Sequence, residues 1–200
     1  MTRPAPLRLE PIVLEGGRVR LEPMSLEHLP GLCEAGLQPG VFRWFVDPVE
    51  TAQQMRAWVE RALAGRAAGT ELPWVTIEQS SGAVVGSSRY MNVDPLHHRL
   101  EIGSTWLTPA HQGGGINTAV KLLQLGHAFE ALGAIRVEFK TDSLNERSRG
   151  ALTAIGATFE GILREHMIVA DGRHRHSAYY SIVAGEWPDV RLRLEQRLLQ

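Results

Sequence analysis

The chain has 200 residues, of which 44% are hydrophobic and 22% are charged, and its formal net charge at pH 7 is −1. These values are typical of a soluble globular protein with one sizeable core, and they exclude a global basic field that would attract nucleic acid. The single cysteine, Cys33, excludes a disulfide within this sequence, and no run of about 20 apolar residues predicts a membrane span. Since no signal peptide is visible at the start, we predict a cytoplasmic protein.

The predicted strands and helices follow one another in a definite order after a proline-rich arm over residues 1–17. In chain order they are a strand at 18–23, helices at 26–35 and 51–64, strands at 74–78, 83–92 and 98–107, a helix at 116–132, a strand at 135–141, a helix at 145–155, strands at 159–169 and 176–183, and a helix at 190–199. Antiparallel hairpins come first and helical crossovers follow. This order predicts an α/β (α+β) fold with a mixed, mostly antiparallel twisted sheet and helices on both faces. We expect one domain over 18–188, with a C-terminal helix at 189–200 that belongs to it.

A cluster of three glycines lies between a predicted strand and the long helix. Its members are Gly113, Gly114 and Gly115. Glycines let backbone N–H groups approach a ligand, and a helix N-terminus adds unpaired donors and partial positive charge, so the turn suits a diphosphate. A P-loop is excluded because Ile116 and Asn117 stand where it needs lysine and a hydroxyl residue, and the dinucleotide fingerprint is excluded because Thr118 replaces its last glycine. A glycine-rich connector without a ligand is the alternative.

The residues around this cluster resemble an acetyltransferase signature, in which Gln or Arg is followed by two residues, Gly, one residue, and Gly or Ala. Gln112 and Gly115 match it, while Asn117 replaces the final small residue. Further segments resemble the same family in the same order, and they lie at 101–107, 144–148, 155–157, 159–164, 180–182 and 186–187. Over about 19–188 the chain therefore resembles the Gcn5-related N-acetyltransferase (GNAT) superfamily, in the RimJ/RimL-like branch that acetylates ribosomal-protein N-termini.

The resemblance implies that acetyl-CoA, as cosubstrate, lies where two parallel strands, here 98–107 and 135–141, splay apart. Trp106 and Leu107 would pair with its pantetheine arm. The diphosphate would lie on backbone N–H groups of Gln112, Gly113, Gly114, Gly115, Ile116, Asn117 and Thr118. Asn145 would bond the pantetheine arm, and Ser148 lies one helical turn further along the same face. The alternatives are a simple helix cap for Asn145 and an idle surface hydroxyl for Ser148.

Acyl transfer to an amine needs a base for the ammonium proton, a donor for the carbonyl oxygen and an acid for the departing thiolate. A backbone N–H of the splayed strand is the natural donor. Glu101 and His166 are the candidate bases, against the alternatives of a structural carboxylate and of a surface or hydrogen-bonded histidine. Many relatives supply a tyrosine as the acid seven residues after the asparagine. Leu152 stands there in this chain, so Ser148, or a water that it holds, is the next candidate.

The amine acceptor would be a protein N-terminus, such as that of a ribosomal protein, or a small amine. The aromatic loop at 41–46 and the last strands would set this choice, and Phe42, Trp44 and Phe45 either plug the core or line a pocket. An acyl-CoA-binding sensor or partner module without turnover is the alternative function. The missing tyrosine favours this alternative, whereas Ser148 and Glu101 favour the enzyme.

Several other residue groups are candidates for metal or partner sites. Two groups of histidines, at 97–98 and at 174 and 176, lack a carboxylate or cysteine at ligand spacing, so we predict no metal site. Arginines on the last helix suggest an RNA-binding surface, but Glu195 lies among them and no aromatics are interleaved. We therefore predict no direct contact with nucleic acid and none with a membrane. An exposed strand edge near the C-terminus would suit a homodimer.

Overall fold

The computed structural model describes residues 5–199, which form one eight-stranded mixed sheet. The strands are β1 (Leu14–Gly16), β2 (Val19–Pro23), β3 (Leu72–Glu78), β4 (Val84–Asp94), β5 (Arg99–Leu107), β6 (Arg136–Asp142), β7 (Thr158–Ile168) and β8 (His174–Val183). Their order is β1-β2-β3-β4-β5-β6-β8-β7, and among these described strands only β5 and β6 pair in parallel. The predicted fold class is confirmed. Residues 14–16 pair with β2, so the sheet begins within the segment 1–17 that was predicted as an arm, and residues 1–4 of that segment lie outside the described residues. At the opposite edge lies β7, and a homodimer through it stays a prediction.

Residues 5–199 also form five α-helices, which pack on the sheet. They are α1 (Leu29–Gly36), α2 (Ala52–Ala67), α3 (Ile116–Gly126), α4 (Glu146–Ala154) and α5 (Trp187–Leu198). The helix predicted at 116–132 is α3 followed by a π-helical turn, His127–Ala131, and Gly133, with a φ of +67°, ends it as predicted. Among residues 5–199, no helix combines the length and the apolar content that crossing a membrane requires.

Two apolar clusters lie on opposite faces of the sheet, because side chains alternate along each strand. Trp74 belongs to the larger cluster, which includes residues of α3 and α5, and its neighbour Val75 belongs to the smaller cluster, which includes residues of α1 and α2. Phe42 lies in the smaller cluster, with its ring centroid 5.5 Å from Trp106 and 5.9 Å from Trp58. Of the two alternatives for the aromatic loop, Phe42 therefore takes the role of a core plug.

Apart from the edge pair β1–β2, the parallel strands β5 and β6 have the shortest pairing in the described sheet. In the described chain β5 and β6 pair at three positions, which are Arg99–Arg136, Leu100–Val137 and Glu101–Glu138. Beyond them β5 continues to Leu107 beside β4, and β6 continues to Asp142 beside β8. The two strands therefore splay apart and leave a cleft between them.

A β-bulge interrupts β5 within its splayed part. Ser104 and Thr105 together lie opposite one residue of β4, Ser88. Ser104 has a left-handed φ of +47°, which is uncommon for a residue other than glycine. The bulge reverses the alternation of side chains, so that Ile102 and Leu107, five positions apart, both reach the larger apolar cluster.

Candidate active site

The glycine turn follows β5 and leads into α3. Gly113 and Gly115 have φ values of +83° and +84°, a backbone conformation that other residues rarely adopt. In the described chain, the N-terminus of α3 has no side-chain cap and no acidic residue in its first turn. Its first N–H groups are therefore available to an anion. The side chains of Ile116 and Thr118 are buried, so it is through their backbone N–H groups that these residues can bind an anion.

Gln112 fastens this turn to both walls of the cleft. Its Nε2 donates to the carbonyl oxygen of Leu107 at 2.7 Å, and its Oε1 accepts from Arg147 at the start of α4. One lone pair of the Leu107 carbonyl oxygen is thus already engaged. The side chain of Trp106 packs in the smaller apolar cluster. The side chain of Leu107 packs in the larger apolar cluster, so Trp106 and Leu107 both face the cleft mainly with their backbone.

The start of α4 forms the second wall. Asn145 Oδ1 accepts from the N–H of Ser148 at 3.1 Å, so Asn145 caps α4, while its contact with the pantetheine arm stays a prediction. Capping uses the carbonyl oxygen of the amide, so its Nδ2 group can still serve a second partner. Ser148 is half-buried, whereas Leu152 is buried in the larger apolar cluster. The position at which relatives supply a tyrosine therefore contributes to the core and offers no acid.

Glu101 lies at the last paired position of β5, where the two strands begin to splay. Its side chain is 3% exposed. One carboxylate oxygen, Oε2, accepts from Asn92 Nδ2 at 2.8 Å and lies 3.5 Å from Lys140 Nζ. These contacts hold the carboxylate at the apex of the cleft, and they suit a structural role and a catalytic role equally.

His166 reaches the same face of the sheet through a second bulge, on β7, where Glu165 has a left-handed φ of +49°. Its Nδ1 lies 3.0 Å from Ser177 Oγ. Burial lowers the pKa of His166, and the positive charges of Lys140 and Arg175 lower this pKa further. The imidazole is therefore mostly neutral at pH 7 and can accept a proton.

Lys140 and Tyr179 complete this face, and the sequence prediction missed both. They are direct partners in the register of β6 with β8, and the ring of His166 lies edge-on to Tyr179 with centroids 5.8 Å apart. Burial raises the pKa of Tyr179, and the charge of Glu101 raises it further, so the phenol stays protonated and can donate a hydrogen bond. Both residues alternate with core residues along their strands, and this signal identifies them once the register is known.

The aromatic loop at 41–46 is tied to the β7–β8 hairpin. The N–H of Ala170 donates to the carbonyl oxygen of Val46 at 3.1 Å. Arg175 Nη1 donates to the carbonyl oxygen of Trp44 at 3.4 Å. Because Arg175 also lies near His166, the loop and the hairpin together bound the side of the cleft that holds the candidate bases.

Asp142 anchors this connection at the end of β6. Its buried side chain accepts from Arg173 at 2.7 Å and lies 3.9 Å from Arg175 Nε. We expect Asp142→Asn to lower the free energy of unfolding by about 3 kcal/mol, because it leaves the buried Arg175 without its counter-charge. Urea unfolding measures the change. Glu195→Gln, which removes an exposed pair with Arg191, is the control and should cost less than about 1 kcal/mol. Equal losses in both variants would contradict the prediction.

The two groups of histidines, at 97–98 and at 174 and 176, contact protein groups. Their partners are Asp94 for His97, the Gly133 carbonyl for His98, and Glu165 for His174 and His176. Within residues 5–199, no group of three or more His, Cys, Asp or Glu side chains is arranged to hold a metal ion.

The splayed parallel pair, the open glycine turn and the buried carboxylate together form the arrangement that the sequence resemblance implies for an acyltransferase. The chain belongs to the GNAT family, since its residues 18–158 match that family's sequence model, described as an acetyltransferase (GNAT) domain. The predicted family is therefore confirmed.

Individual relatives agree with this assignment. Over 106 residues the chain is 34% identical to the putative ribosomal N-acetyltransferase YdaF of Bacillus subtilis (strain 168), and the match covers 53% of this chain and 57% of that protein. The chain thus spans just over half the length of this curated relative. A putative acetyltransferase from T. thermophilus is 38% identical with a TM-score of 0.85, covering 95% of this chain and 98% of that one. A GCN5-related N-acetyltransferase from Brucella melitensis is 30% identical with a TM-score of 0.89, covering 97% and 89%.

Proposed function

We propose that this enzyme transfers the acetyl group of acetyl-CoA to a primary amine by direct attack. The observation that carries the proposal is the cleft between β5 and β6. The two strands stop pairing after Glu101, and β5 then runs to an open glycine turn at the start of α3. Members of the GNAT family are acetyltransferases that use acetyl-CoA.

The cleft fits the three parts of this cosubstrate. Beyond Glu101, the backbone groups of β5 on the side of β6 have no strand partner in the described chain, which suits the two amides of a pantetheine arm. The uncapped N–H groups from Gly113 to Thr118 suit the diphosphate. Asn145 on the opposite wall can donate to the arm through Nδ2.

The chemistry can be divided among the residues around the apex. Glu101, with His166 as the second candidate, takes the proton of the amine directly or through water. A backbone N–H of the splayed part of β5 donates to the carbonyl oxygen as its charge grows. Ser148, or a water that it holds, gives a proton to the departing thiolate. The amine nitrogen thereby gains the acetyl group, and CoA leaves as the thiol.

A protein N-terminus is the acceptor that we favour, and a small amine is the second candidate. The name of the B. subtilis relative supports this choice, because it describes a ribosomal N-acetyltransferase. Half-buried Trp44 and Phe45, on the loop beside the candidate bases, suit an apolar side chain near the acceptor amine.

Thiol release from acetyl-CoA in the presence of an amine panel tests the proposed function. The panel contains short peptides with free N-termini, the same peptides with blocked N-termini, and small amines. We expect turnover with at least one free N-terminus and none with its blocked form. Binding of acetyl-CoA without turnover on any amine would favour the sensor alternative, and absence of binding would overturn the proposal.

Replacement of Gly115 tests where the diphosphate binds. We expect Gly115→Val to weaken acetyl-CoA binding on the order of 100-fold, because a β-branched side chain at this left-handed position displaces the N–H groups of the turn. Isothermal titration calorimetry measures the affinity.

Gly69→Val is the matched control for this replacement. Gly69 has a φ of +71° and open space around it, but it follows α2, so the same backbone strain arises without any contact with the turn. Its affinity for acetyl-CoA should stay within twofold of the wild type. If Gly115→Val binds acetyl-CoA as well as Gly69→Val does, the diphosphate is not held by this turn.

A further inference from the structure

A lysine is buried beneath the cleft, on the face of the sheet that α3 covers. Lys121 is 4% exposed. Its Nζ donates to Thr105 Oγ1 at 3.0 Å, to Gln124 Oε1 at 3.2 Å and to Ser88 Oγ at 3.4 Å. An ammonium group has three donors, and here it meets three oxygens. The hydrogen bonding of the amine is therefore satisfied although its charge is not.

The charge of Lys121 has no counter-ion. Burial lowers the pKa of its amine to about 7, and no carboxylate among residues 5–199 forms an ion pair with it. Gln124, which accepts from Lys121, also accepts at its carbonyl oxygen from Tyr90, and the ring of His127 stacks on Tyr90. A buried cation without a partner is costly, and an apolar residue of the same length would fill the space. The fold alone therefore gives no reason for a lysine here.

The position of Thr105 suggests the reason. Thr105 lies in the β5 bulge, next to Ser104 with its left-handed φ of +47°, inside the segment that faces the cleft. Its hydroxyl also lies 2.7 Å from Ser88 Oγ, on β4. The amine of Lys121 thus contacts both β4 and β5 at the bulge, where their pairing is irregular. It lies on the face of the sheet opposite to Glu101 and His166.

We propose that Lys121 is a positioning residue for acetyl transfer, whose amine holds the Thr105 hydroxyl and so fixes the bulge that presents β5 backbone to the acetyl group. This inference rests on the proposed function, since it assumes that the acetyl carbonyl lies against the splayed part of β5. It also separates two tasks: the glycine turn holds the nucleotide end of the cosubstrate, and Lys121 supports the acetyl end.

Binding of two ligands tests the proposal without any acceptor. Acetyl-CoA and CoA share the diphosphate and the pantetheine arm, and they differ in the acetyl group. We expect Lys121→Met to weaken acetyl-CoA binding about fivefold and CoA binding less than twofold, both measured by isothermal titration calorimetry at pH 7. Thr105→Val, which removes the hydroxyl at nearly constant volume, should give the same pattern. The double variant should lose no more than either single variant, because both remove the same contact.

Ser87→Ala is the matched control, since Ser87 is buried on β4 beside this cluster and donates to the carbonyl oxygen of Trp74 instead. It should bind both ligands like the wild type. Lys121→Met should also melt no lower than the wild type, so that weaker binding cannot come from unfolding. A lysine with only a structural role would leave the ratio of the two affinities unchanged, and that result would overturn the proposal. If the wild type binds neither acetyl-CoA nor CoA, the proposed function is overturned instead. Gly115→Val should weaken the binding of both ligands equally, so its effect differs from that of Lys121→Met.

Discussion

Replacement of Glu101 by glutamine is expected to lower kcat for acetyl transfer by about 10²- to 10³-fold while the Kd for acetyl-CoA changes less than twofold. Glutamine keeps the size of the side chain and can still accept from Asn92, which donates to the carboxylate at 2.8 Å. It cannot take a proton from the amine. Steady-state kinetics with the best peptide of the panel and calorimetry with acetyl-CoA measure the two quantities.

Glu138→Gln is the control for this experiment. Glu138 is the register partner of Glu101 on β6, but its carboxylate accepts from Arg136 at 2.8 Å and does not contact Asn92. The kcat of Glu138→Gln should stay within threefold of the wild type.

If Glu101→Gln also keeps a kcat within threefold of the wild type, Glu101 is not the base, and His166 is the remaining candidate. Because the pKa of His166 is lowered from 6.5, kcat/KM would then fall only as the pH drops below about 6.5, and His166→Asn would remove that dependence.

The second large effect is expected for Lys121→Met, in the free energy of unfolding. Burial lowers the pKa of Lys121 from 10.5 to about 7 in the folded protein. Between these pH values the unfolded chain binds more protons than the folded protein, so the free energy of unfolding rises with pH, by up to about 1.4 kcal/mol per unit. Lys121→Met removes this titration. We expect the variant to be more stable than the wild type by about 2–4 kcal/mol at pH 7, after the loss of three hydrogen bonds is included.

Urea unfolding at pH 7, 8 and 9 measures this dependence. The chain has one other lysine, Lys140, which lies 3.5 Å from Glu101. Lys140→Met should keep the rise of stability with pH, whereas Lys121→Met should lose most of it. If the two variants show the same slope, the amine of Lys121 titrates at its ordinary pKa and is not desolvated as described. Together with the expected loss of acetyl-CoA affinity, a gain in stability would identify Lys121 as a residue kept for function at the expense of the fold.

The glycine turn and the helices around it could be predicted from the sequence because they depend on local signals. Three consecutive glycines before an apolar helical pattern mark the turn and the start of α3. Gly133 and Gly156, with φ values of +67° and +94°, mark the ends of two helices at the expected places. The splayed parallel pair at 98–107 and 135–141 follows from the family resemblance, because composition and periodicity alone do not indicate it.

The acceptor side of the cleft could not be predicted in the same way, because side-chain direction there depends on two bulges. At Ser104 one extra residue changes the face that the following residues of β5 reach, and on β7 three residues, 164–166, lie opposite one residue of β8. A period-two pattern does not show where such residues have been inserted. Lys140 and Tyr179 become neighbours through pairing of strands that are far apart in the sequence. Lys121 resembles any polar residue on a helix until the packing of α3 against the sheet buries it.

The narrow junction between β5 and β6 has a mechanical consequence. Strands β1 to β5 and strands β6 to β8 form two half-sheets, and three paired positions join them in the described part of the chain. Apart from the edge pair β1–β2, this is the shortest pairing in the described sheet, so few backbone hydrogen bonds resist bending beside Glu101. A pantetheine arm bonded to both strands would brace the two half-sheets against each other. Bound acetyl-CoA would then link the two half-sheets, and they would move least relative to each other while the cosubstrate is in the cleft.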